Sequence, residues 1–236
     1  MKTFVVGDIH GGYKGLKQCL GRSSFDYDKD KLICLGDICD GWSETPECVD
    51  ELMKIKKLVY VIGNHDCWLM EWFKLGIRPN GWEQQGGRAT LDAYIKRRQE
   101  CWKEHEKFFK KGHYKYIDKK NRIFVHGGFY RGVDINFQTW QNLVWDRSLA
   151  EKAVSGFGSD YFRIREYNEV YLGHTSVNYF SKKRVPKNLP FNSGNVWLMD
   201  TGAGMEGKLT IMDIDTKEFW QSDNLKDLYS GELGRN

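Results

Sequence analysis

A glycine and then a polar residue close each of several short apolar segments along this chain of 236 residues. The first three segments are Lys2 to Gly7, Lys31 to Gly36 and Leu58 to Gly63, and each is followed by Asp or Asn. Helical periodicity between them, at 13–20 and 46–56, predicts strands that alternate with helices. Strands connected in this way form a mostly parallel sheet. Ligands bind at the carboxyl ends of such strands, so we expect the polar residues to form a site there.

The second half of the chain continues this pattern. The further predicted strands are Arg122 to Val125, Glu169 to Leu172, Val196 to Asp200 and Lys208 to Asp215. The first two end in His126-Gly127-Gly128 and Gly173-His174, which again place a polar residue beside glycine. The region around Trp220 is expected to lead into a polar tail.

A basic, aromatic insert at about 68–122 separates the two halves. Residues 71–122 contain 14 Lys and Arg against 7 Asp and Glu, a net charge of +7, whereas the whole chain has +4 and the remainder therefore −3. Apolar residues at helical spacing predict one long amphipathic helix from Thr90, its N-cap, to Lys111. We expect a single domain over residues 1–236, in which this insert forms a helical cap over an anionic substrate.

Composition excludes several classes of protein. With 40% apolar residues, a chain of this length buries a large core, which excludes disorder. No apolar run approaches the roughly 18 residues that a membrane helix needs, and the first residues enter a strand, so a cytoplasmic protein is expected. The six cysteines form no CxxC pair and are expected to be reduced thiols. A net charge of +4 does not indicate stable nucleic-acid binding.

Polar side chains of the same kinds follow five of the predicted strands. They are Asp8 and His10, Asp37 and Asp40, Asn64 and His65, His126, and His174. Carboxylate, imidazole and amide groups together suit Mn²⁺, Fe or Zn²⁺ better than a thiolate site or a Ca²⁺ cage would. Two Asp, three His and one Asn are more ligands than one catalytic metal ion needs. The count therefore favours two metal ions that share one carboxylate.

Five short motifs occur in a recognisable order. They are GDIHG at 7–11, GDICD at 36–40, GNHD at 63–66, HGG at 126–128 and GH at 173–174. From Met1 to about Asp215 the chain resembles the calcineurin-like metallophosphoesterases. Within them it resembles the phosphoprotein-phosphatase branch, which includes bacteriophage-type serine/threonine phosphatases and bacterial diadenosine-tetraphosphate hydrolases. The resemblance implies an α/β fold: a β-sandwich with helices on its outer faces and the site at the strand ends.

The resemblance also implies a role for each strand-end residue. One metal ion would be held by Asp8, His10 and Asp37, and the second by Asp37, Asn64, His126 and His174. Mn²⁺ is the expected metal, with Fe and Zn²⁺ as alternatives. Two ions roughly 3.5–4 Å apart clamp a phosphoryl group, and a water shared between them is acidified enough to attack as hydroxide. His65, oriented by Asp40, is the expected general acid for the leaving oxygen.

The chain departs from this family at Gly41. Most relatives in the branch carry an Arg directly after the second Asp of GDxxD, where its planar fork grips the phosphate oxygens. A second family Arg is retained in Trp145-Asp146-Arg147, and Arg147 is the expected phosphate ligand. The stretch 82–90 resembles the tryptophan and double-glycine loop of phage-type phosphatases. We expect Arg88 or this loop to supply the missing phosphate contact; the alternative is that Arg88 is a solvated charge.

Three functions are compatible with these features. The first is a two-metal phosphomonoesterase similar to serine/threonine phosphoprotein phosphatases, acting on phosphorylated proteins or small phosphorylated molecules by direct water attack. The second is a nucleotide hydrolase of the diadenosine-polyphosphate or phosphodiesterase type. The missing Arg and the insert tryptophans at 68, 72, 82 and 102 favour it, although such tryptophans more often bury a cap against the body. The third, a metal-binding protein without catalysis, fits least, because the ligand set and the His65–Asp40 pair are complete.

Overall fold

Two five-stranded β-sheets form the centre of the structure, a computed structural model that describes residues 1–97, 99–158, 162–180 and 185–235. In chain order the strands are β1 (Thr3–Val6), β2 (Lys31–Cys34), β3 (Lys57–Tyr60), β4 (Lys115–Ile117), β5 (Arg122–Val125), β6 (Glu169–Leu172), β7 (Phe191–Ser193), β8 (Val196–Leu198), β9 (Thr210–Asp213) and β10 (Phe219–Gln221). The first sheet has the order β10-β9-β1-β2-β3 and the second β4-β5-β6-β8-β7.

Each sheet contains three neighbouring parallel strands. In the first sheet these are β1, β2 and β3, and antiparallel β9 and β10 complete one side. In the second they are β5, β6 and β8, with antiparallel β4 and β7 on the two edges. The parallel strands are central in the second sheet and form one side of the first, with β3 at its edge. Their carboxyl ends are the positions at which a site is expected.

Helices cover both outer faces. In the described residues they are α1 (Tyr13–Arg22), α2 (Thr45–Met53), α3 (Asn64–Leu75), α4 (Gly87–Lys96), α5 (Gln99–Phe109), α6 (Trp140–Trp145), α7 (Ser148–Ser155) and α8 (Leu225–Leu228). Within the same ranges, no helix combines the length and the apolar character that crossing a membrane would require.

The alternation of side chains along the strands explains the layers. On β1, Val5 points into the cluster between the sheets, whereas Phe4 and Val6 belong to the cluster under the helices of the first sheet. Phe124 of the second sheet stacks on Tyr171 between the sheets, with ring centroids 4.8 Å apart. Because both faces of the central strands are buried, the strands form continuous apolar runs in the sequence. The predicted α/β sandwich with helices on its outer faces is confirmed.

The insert packs its aromatic residues into the main core. Trp72 and Trp82 are buried there with Tyr94 and Phe109, and Trp102 packs against the same cluster. Burial of these rings leaves Trp72 and Trp82 unavailable for stacking on a ligand. All six cysteines are free thiols, and four of them are buried.

The prediction of one long helix from Thr90 to Lys111 is wrong. α4 already begins at Gly87 and ends at Lys96, where Arg97 adopts an extended conformation (φ −91°, ψ 159°) before α5. Arg98, which the predicted helix included, lies outside the described residues. Thr90 is a buried residue inside α4 instead of its N-cap. Apolar spacing continued across the break, which is why the sequence pattern did not reveal it.

The tail after Asp215 is more ordered than predicted. Residues Phe219–Gln221 form β10, which pairs with β9, and α8 follows. The segment from Ser230 to Arg235 then runs back to the strand ends, since the backbone N–H of Arg235 donates to the Gly204 carbonyl at 2.7 Å. A short strand and a loop have no periodicity that a sequence pattern can detect.

Candidate active site

Residues that follow six parallel strands, three from each sheet, meet at one edge of the sandwich. Asp8 and His10 follow β1, Asp37 and Asp40 follow β2, Asn64 and His65 follow β3, His126 follows β5, His174 follows β6 and Asp200 follows β8. All of these residues are at most 5% exposed. The topology therefore gathers a dense set of buried carboxylates and imidazoles, as the sequence pattern predicts.

Four of these residues have a left-handed backbone. The angle φ is 51° at His10, 47° at Asp37, 70° at Asp40 and 61° at His174. Residues other than glycine rarely adopt this conformation, although Asp and His tolerate it better than most. Each instance costs on the order of 1–3 kcal/mol, and such strain concentrates at functional sites. The strand ends are thus held in turns that packing of the core must stabilise.

Direct hydrogen bonds join the strand ends of the two sheets. The backbone N–H of His174 donates to Asp8 Oδ2 at 2.9 Å, and His126 Nδ1 donates to the Leu35 carbonyl at 2.7 Å. The approach requires glycine at position 173, because a Cβ there would lie 2.4 Å from Asp8 Oδ1. The bond to Leu35 directs the other ring nitrogen of His126, Nε2, toward the cluster.

Two triplets of potential metal ligands share Asp37. They are Asp8, His10 and Asp37, and Asp37, His126 and His174. Within each triplet the ligand atoms lie within 4.8 Å of one another. Asn64 adjoins the second triplet, since its Oδ1 lies 3.1 Å from His126 Nε2. The structure therefore brings together the six residues that the sequence singles out, with Asp37 between the two groups.

Several buried polar atoms of these triplets have no hydrogen-bond partner among the described residues. They are Asp8 Oδ1, Asp37 Oδ2 and both ring nitrogens of His174. An unsatisfied buried group costs about 1–3 kcal/mol, and more when it is charged. Carboxylate oxygens and imidazole nitrogens that converge without partners are the donor atoms a divalent cation uses. The residues present therefore fit a metal centre.

Burial and mutual charge shift the pKa values of the cluster in opposite directions. Burial, together with the nearby Asp200 carboxylate, raises the pKa of Asp8 well above its usual value. Burial also acts to raise the pKa of Asp37, but the imidazole of His126 and its neighbours outweigh it and hold that pKa well below the usual range. Burial lowers the pKa of His126, yet the Asp37 carboxylate reverses this and raises it to about 9. Asp37 is thus held ionised at the centre of the cluster, which is the form that a metal-binding carboxylate needs.

His65 and Asp40 form a buried pair that the insert holds in place. His65 Nδ1 donates to Asp40 Oδ2 at 2.8 Å, which leaves Nε2 as the ring nitrogen available to a ligand. The same carboxylate oxygen accepts a hydrogen bond from the Trp82 indole N–H at 2.6 Å. The backbone N–H of Asp40 donates to the Thr90 hydroxyl at 2.9 Å. Residues of the insert therefore orient Asp40, and through it the ring of His65.

The two predicted phosphate-binding arginines lie in different surroundings. Arg147 Nη1 donates to the His174 carbonyl at 3.0 Å, and the side chain lines a cavity of about 410 Å³ beside the cluster. Arg88 is 65% exposed and pairs with Glu83 and Asp92 at 3.4 and 3.1 Å. The structure brings Arg147 to the site and pairs Arg88 with neighbours on the insert.

The double-glycine loop packs against position 41. The Gly41 N–H donates to the Gly86 carbonyl at 3.1 Å, and the Gly87 N–H donates to the Trp82 carbonyl at 3.0 Å. The Gly87 amide is therefore engaged within the loop that was expected to supply the missing phosphate contact. Through the Gly86 carbonyl, the loop supports the backbone next to the GDxxD motif.

Sequence reasoning missed two acidic residues of the site. Asp66 accepts hydrogen bonds from the backbone N–H groups of Asp37 (2.8 Å), Ile38 (2.9 Å) and Gly63 (2.9 Å), and so ties the turn after β2 to the start of α3. Its position three residues after Gly63 is the capping-box spacing, which was the available signal. Asp200 follows β8 as the other acids follow their strands, so the same rule applied to β8 would have found it.

Arg235 is the third residue that sequence reasoning missed. Its Nη1 lies 3.2 Å from His10 Nε2 and 3.3 Å from His65 Nε2. Its side chain is half-buried and lines the same cavity as Arg147. Nothing in its local sequence marks it, because the contacts span 225 and 170 residues of chain.

Similarities to known proteins agree with this geometry. The family model described as calcineurin-like phosphoesterase matches residues 1–202. Serine/threonine-protein phosphatase 2 of Salmonella typhimurium (strain LT2) is 26% identical over 220 residues, which cover 89% of this chain and 92% of that protein. The symmetrical bis(5'-nucleosyl)-tetraphosphatase of Coxiella burnetii (strain RSA 331) is 27% identical over 126 residues, which cover 53% of this chain and 41% of that protein.

The fold is also shared with a solved structure. A metallophosphoesterase from Sphaerobacter thermophilus superimposes with a TM-score of 0.56 over 95% of this chain and 89% of that one, at 16% identity. This likeness concerns the fold alone. The family match, in contrast, covers all six of the strand-end residues that the sequence singles out as metal ligands. The chain therefore belongs to the calcineurin-like phosphoesterase family, whose members are metal-dependent hydrolases of phosphoester bonds.

Proposed function

We propose that this chain hydrolyses phosphomonoesters, on serine/threonine-phosphorylated proteins or small phosphorylated molecules, by direct attack of water at a centre of two divalent metal ions. The observation that carries the proposal is the buried Asp37, shared by two ligand triplets beside the His65–Asp40 pair. Two ions that share a ligand clamp both the attacking and the leaving oxygen of an in-line displacement. The similarity to a serine/threonine-protein phosphatase over 89% of the chain supports this choice of substrate class.

The metal centre would be formed entirely by strand-end residues. One ion would be held by Asp8, His10 and Asp37, and the other by Asp37, Asn64, His126 and His174. When bound, two such ions polarise the phosphoryl oxygens and lower the pKa of a bound water. A mixture of carboxylate, imidazole and amide donors suits Mn²⁺, with Fe and Zn²⁺ as alternatives.

Arg147 would bind the phosphate oxygens of the substrate. Its hydrogen bond to the His174 carbonyl fixes the side chain at the cavity and leaves other N–H groups of the guanidinium for a ligand. A charge-assisted contact of this kind contributes about 1.5–3 kcal/mol. Arg147 therefore holds the phosphoryl group against the metal centre.

His65 would donate the proton that the leaving oxygen needs. Its Nδ1 is committed to Asp40, so Nε2 is the atom that carries the proton toward the substrate. An alkoxide leaves poorly without such a proton, and a positioned acid typically contributes 10²–10⁴-fold to the rate. Asp40 fixes the ring in the orientation that this transfer requires.

A hydrolase of dinucleoside polyphosphates or of phosphodiesters is the second candidate, and exposed aromatic rings beside the site favour it. Trp145 is 39% exposed, and its ring lies 5.3 Å from Trp68, which in turn lies 4.9 Å from His65. Tyr179, which lines the cavity, is 68% exposed. Flat rings of this kind stack on nucleobases.

A panel of four substrates separates these functions. Metal-stripped protein reloaded with Mn²⁺ would be given p-nitrophenyl phosphate, a phosphothreonine peptide, diadenosine tetraphosphate and bis(p-nitrophenyl) phosphate. We expect kcat/KM for the monoesters to exceed that for the other two by at least about tenfold, or 1.4 kcal/mol in transition-state free energy. Faster cleavage of the tetraphosphate or the diester would establish the second candidate. Absence of metal-dependent release from all four would contradict both.

A further inference from the structure

The C-terminal segment, residues 230–235, is anchored to the loop that follows the GDxxD motif. The Tyr229 ring, which precedes it, stacks on Trp42 with centroids 5.1 Å apart. The Glu232 carboxylate accepts hydrogen bonds from the Ser43 N–H and hydroxyl at 3.0 and 2.8 Å. Lys226 donates to the Glu232 carbonyl at 2.7 Å. The segment is therefore a fixed part of the site wall.

This segment occupies the space next to Gly41. The φ of Gly41 is +121°, and a Cβ there would lie 3.1 Å from the His10 carbonyl and 3.5 Å from that of Gly204. Arg235 donates its backbone N–H to the same Gly204 carbonyl, and a Cβ on Gly234 would lie 2.9 Å from it. Gly41 and Gly234 therefore both lie beside the Gly204 carbonyl. Position 41 has no side chain there, and the C-terminal segment brings the arginine of position 235 to this part of the site.

The guanidinium of Arg235 points to the reacting groups. His10 Nδ1 lies 2.8 Å from the Asp40 carbonyl and His65 Nδ1 donates to the Asp40 carboxylate, so each Nε2 is the acceptor whenever its ring is neutral. Arg235 Nη1 contacts both, at 3.2 and 3.3 Å. It thus lies between a nitrogen that would hold a metal ion and the nitrogen that would meet the leaving oxygen. If a cation bound His10 Nε2, that nitrogen would no longer accept a hydrogen bond from Arg235. A phosphate oxygen could then take its place as the acceptor for the guanidinium.

We propose that Arg235 is the second substrate-binding arginine of the site and takes the place of the one that position 41 lacks. With Arg147, which lines the same cavity, it would donate to the oxygens of the phosphoryl group. The sequence prediction assigned this role to Arg88 or its loop; Arg88 is instead paired with Glu83 and Asp92 on the surface. This inference deepens the proposed function and rests on it.

Binding of inorganic phosphate to Mn²⁺-loaded protein, measured by calorimetry, tests Arg235 without requiring turnover. Loss of a charge-assisted contact should weaken phosphate about 10- to 100-fold in Arg235→Ala and less in Arg235→Lys, which keeps the charge but not the fork. KM for p-nitrophenyl phosphate should rise in parallel. Arg165→Ala is the matched control, because Arg165 is exposed and precedes β6 at the opposite end of the strand.

Two results would overturn the inference. The first is a phosphate affinity in Arg235→Ala within about twofold of the wild type. The second is tighter binding of Mn²⁺ by the variant, at unchanged phosphate affinity, which would make Arg235 a competitor of the metal. Failure of the wild type to hydrolyse any phosphoester would contradict the proposed function. It would not contradict the role of Arg235 in binding phosphate, which the phosphate affinity of Arg235→Ala tests by itself.

Discussion

Single residues at the strand ends combine buried charge with a strained backbone. Asp37 is fully buried, has a φ of 47°, and belongs to both triplets of potential metal ligands. Each of these features destabilises the folded chain by itself. Together they are explained by the role that we propose for Asp37, an ionised carboxylate held between two cations.

Residues next to a strand could be located from the sequence, and distant contacts could not. Asp8, Asp37 and His126 directly follow apolar segments within the glycine-flanked motifs, so local pattern alone placed them at one edge. Arg235 reaches His10 across 225 residues, and no local signal reports such a contact. Trp82 was predicted as an aromatic of the insert, but its hydrogen bond to Asp40 depends on how the insert packs.

The role proposed for His65 predicts a dependence on the leaving group. His65→Asn keeps a polar side chain that can still contact Asp40 but removes the acid. Because p-nitrophenolate leaves without a proton, we expect kcat/KM to fall less than about tenfold for p-nitrophenyl phosphate, and 10²–10⁴-fold for a phosphothreonine peptide. Unchanged Mn²⁺ content of the variant would be the control. Equal losses for both substrates would contradict the general-acid role.

At the scale of elements, the insert supports the proposed catalytic pair, His65 and Asp40, from outside the sandwich. The turn at Trp82 and helix α4 contribute an indole N–H and the Thr90 hydroxyl to Asp40. The rest of the insert packs its aromatic residues into the core beneath the first sheet. The insert therefore acts on the site through Asp40, whereas its basic surface residues, such as Arg88, pair with neighbouring acids.

Trp82 is a positioning residue, and its substitution should reproduce part of the leaving-group effect. Trp82→Phe keeps a buried ring but removes one of the two donors to Asp40 Oδ2 in the described part of the chain, so that the carboxylate is held by His65 alone. We expect kcat for the phosphothreonine peptide to fall about tenfold or more, with a smaller change for p-nitrophenyl phosphate. Trp72→Phe, in the same cluster, is the matched control and should alter stability alone. The same leaving-group pattern in both variants would show that Trp82 acts only through packing.

Strands that end in a glycine motif were predicted better than elements without such a motif. The strands at 122–125 and 169–172 match the sequence prediction residue for residue, because their apolar runs end at a glycine motif. Strands β4, β7 and β10 have three residues each, too few for a period to be recognised. The break at Arg97 escaped detection because apolar spacing continues on both sides of it.

At the scale of the whole molecule, the two sheets share one centre. Asp8, His10 and Asp37 come from the first sheet, and His126 and His174 from the second, so metal ions bound there would connect the sheets through their strand ends. The remaining link consists of the apolar layer between them and hydrogen bonds such as His174 to Asp8. A ligand that binds only the folded state adds to its stability. Metal binding is thus expected to strengthen the sandwich as well as to activate it.

Titration of the metal-stripped protein with Mn²⁺, followed by the rate of p-nitrophenyl phosphate hydrolysis, tests the two-metal centre most directly. The stripped protein should be inactive, and activity should rise to a plateau at two equivalents per chain. Asp37→Asn, which removes the shared carboxylate, should lose at least about 10³-fold in rate at the same Mn²⁺ concentration, or roughly 4 kcal/mol. Full activity after chelation, or a plateau at one equivalent that Asp37→Asn leaves unchanged, would contradict the two-metal centre.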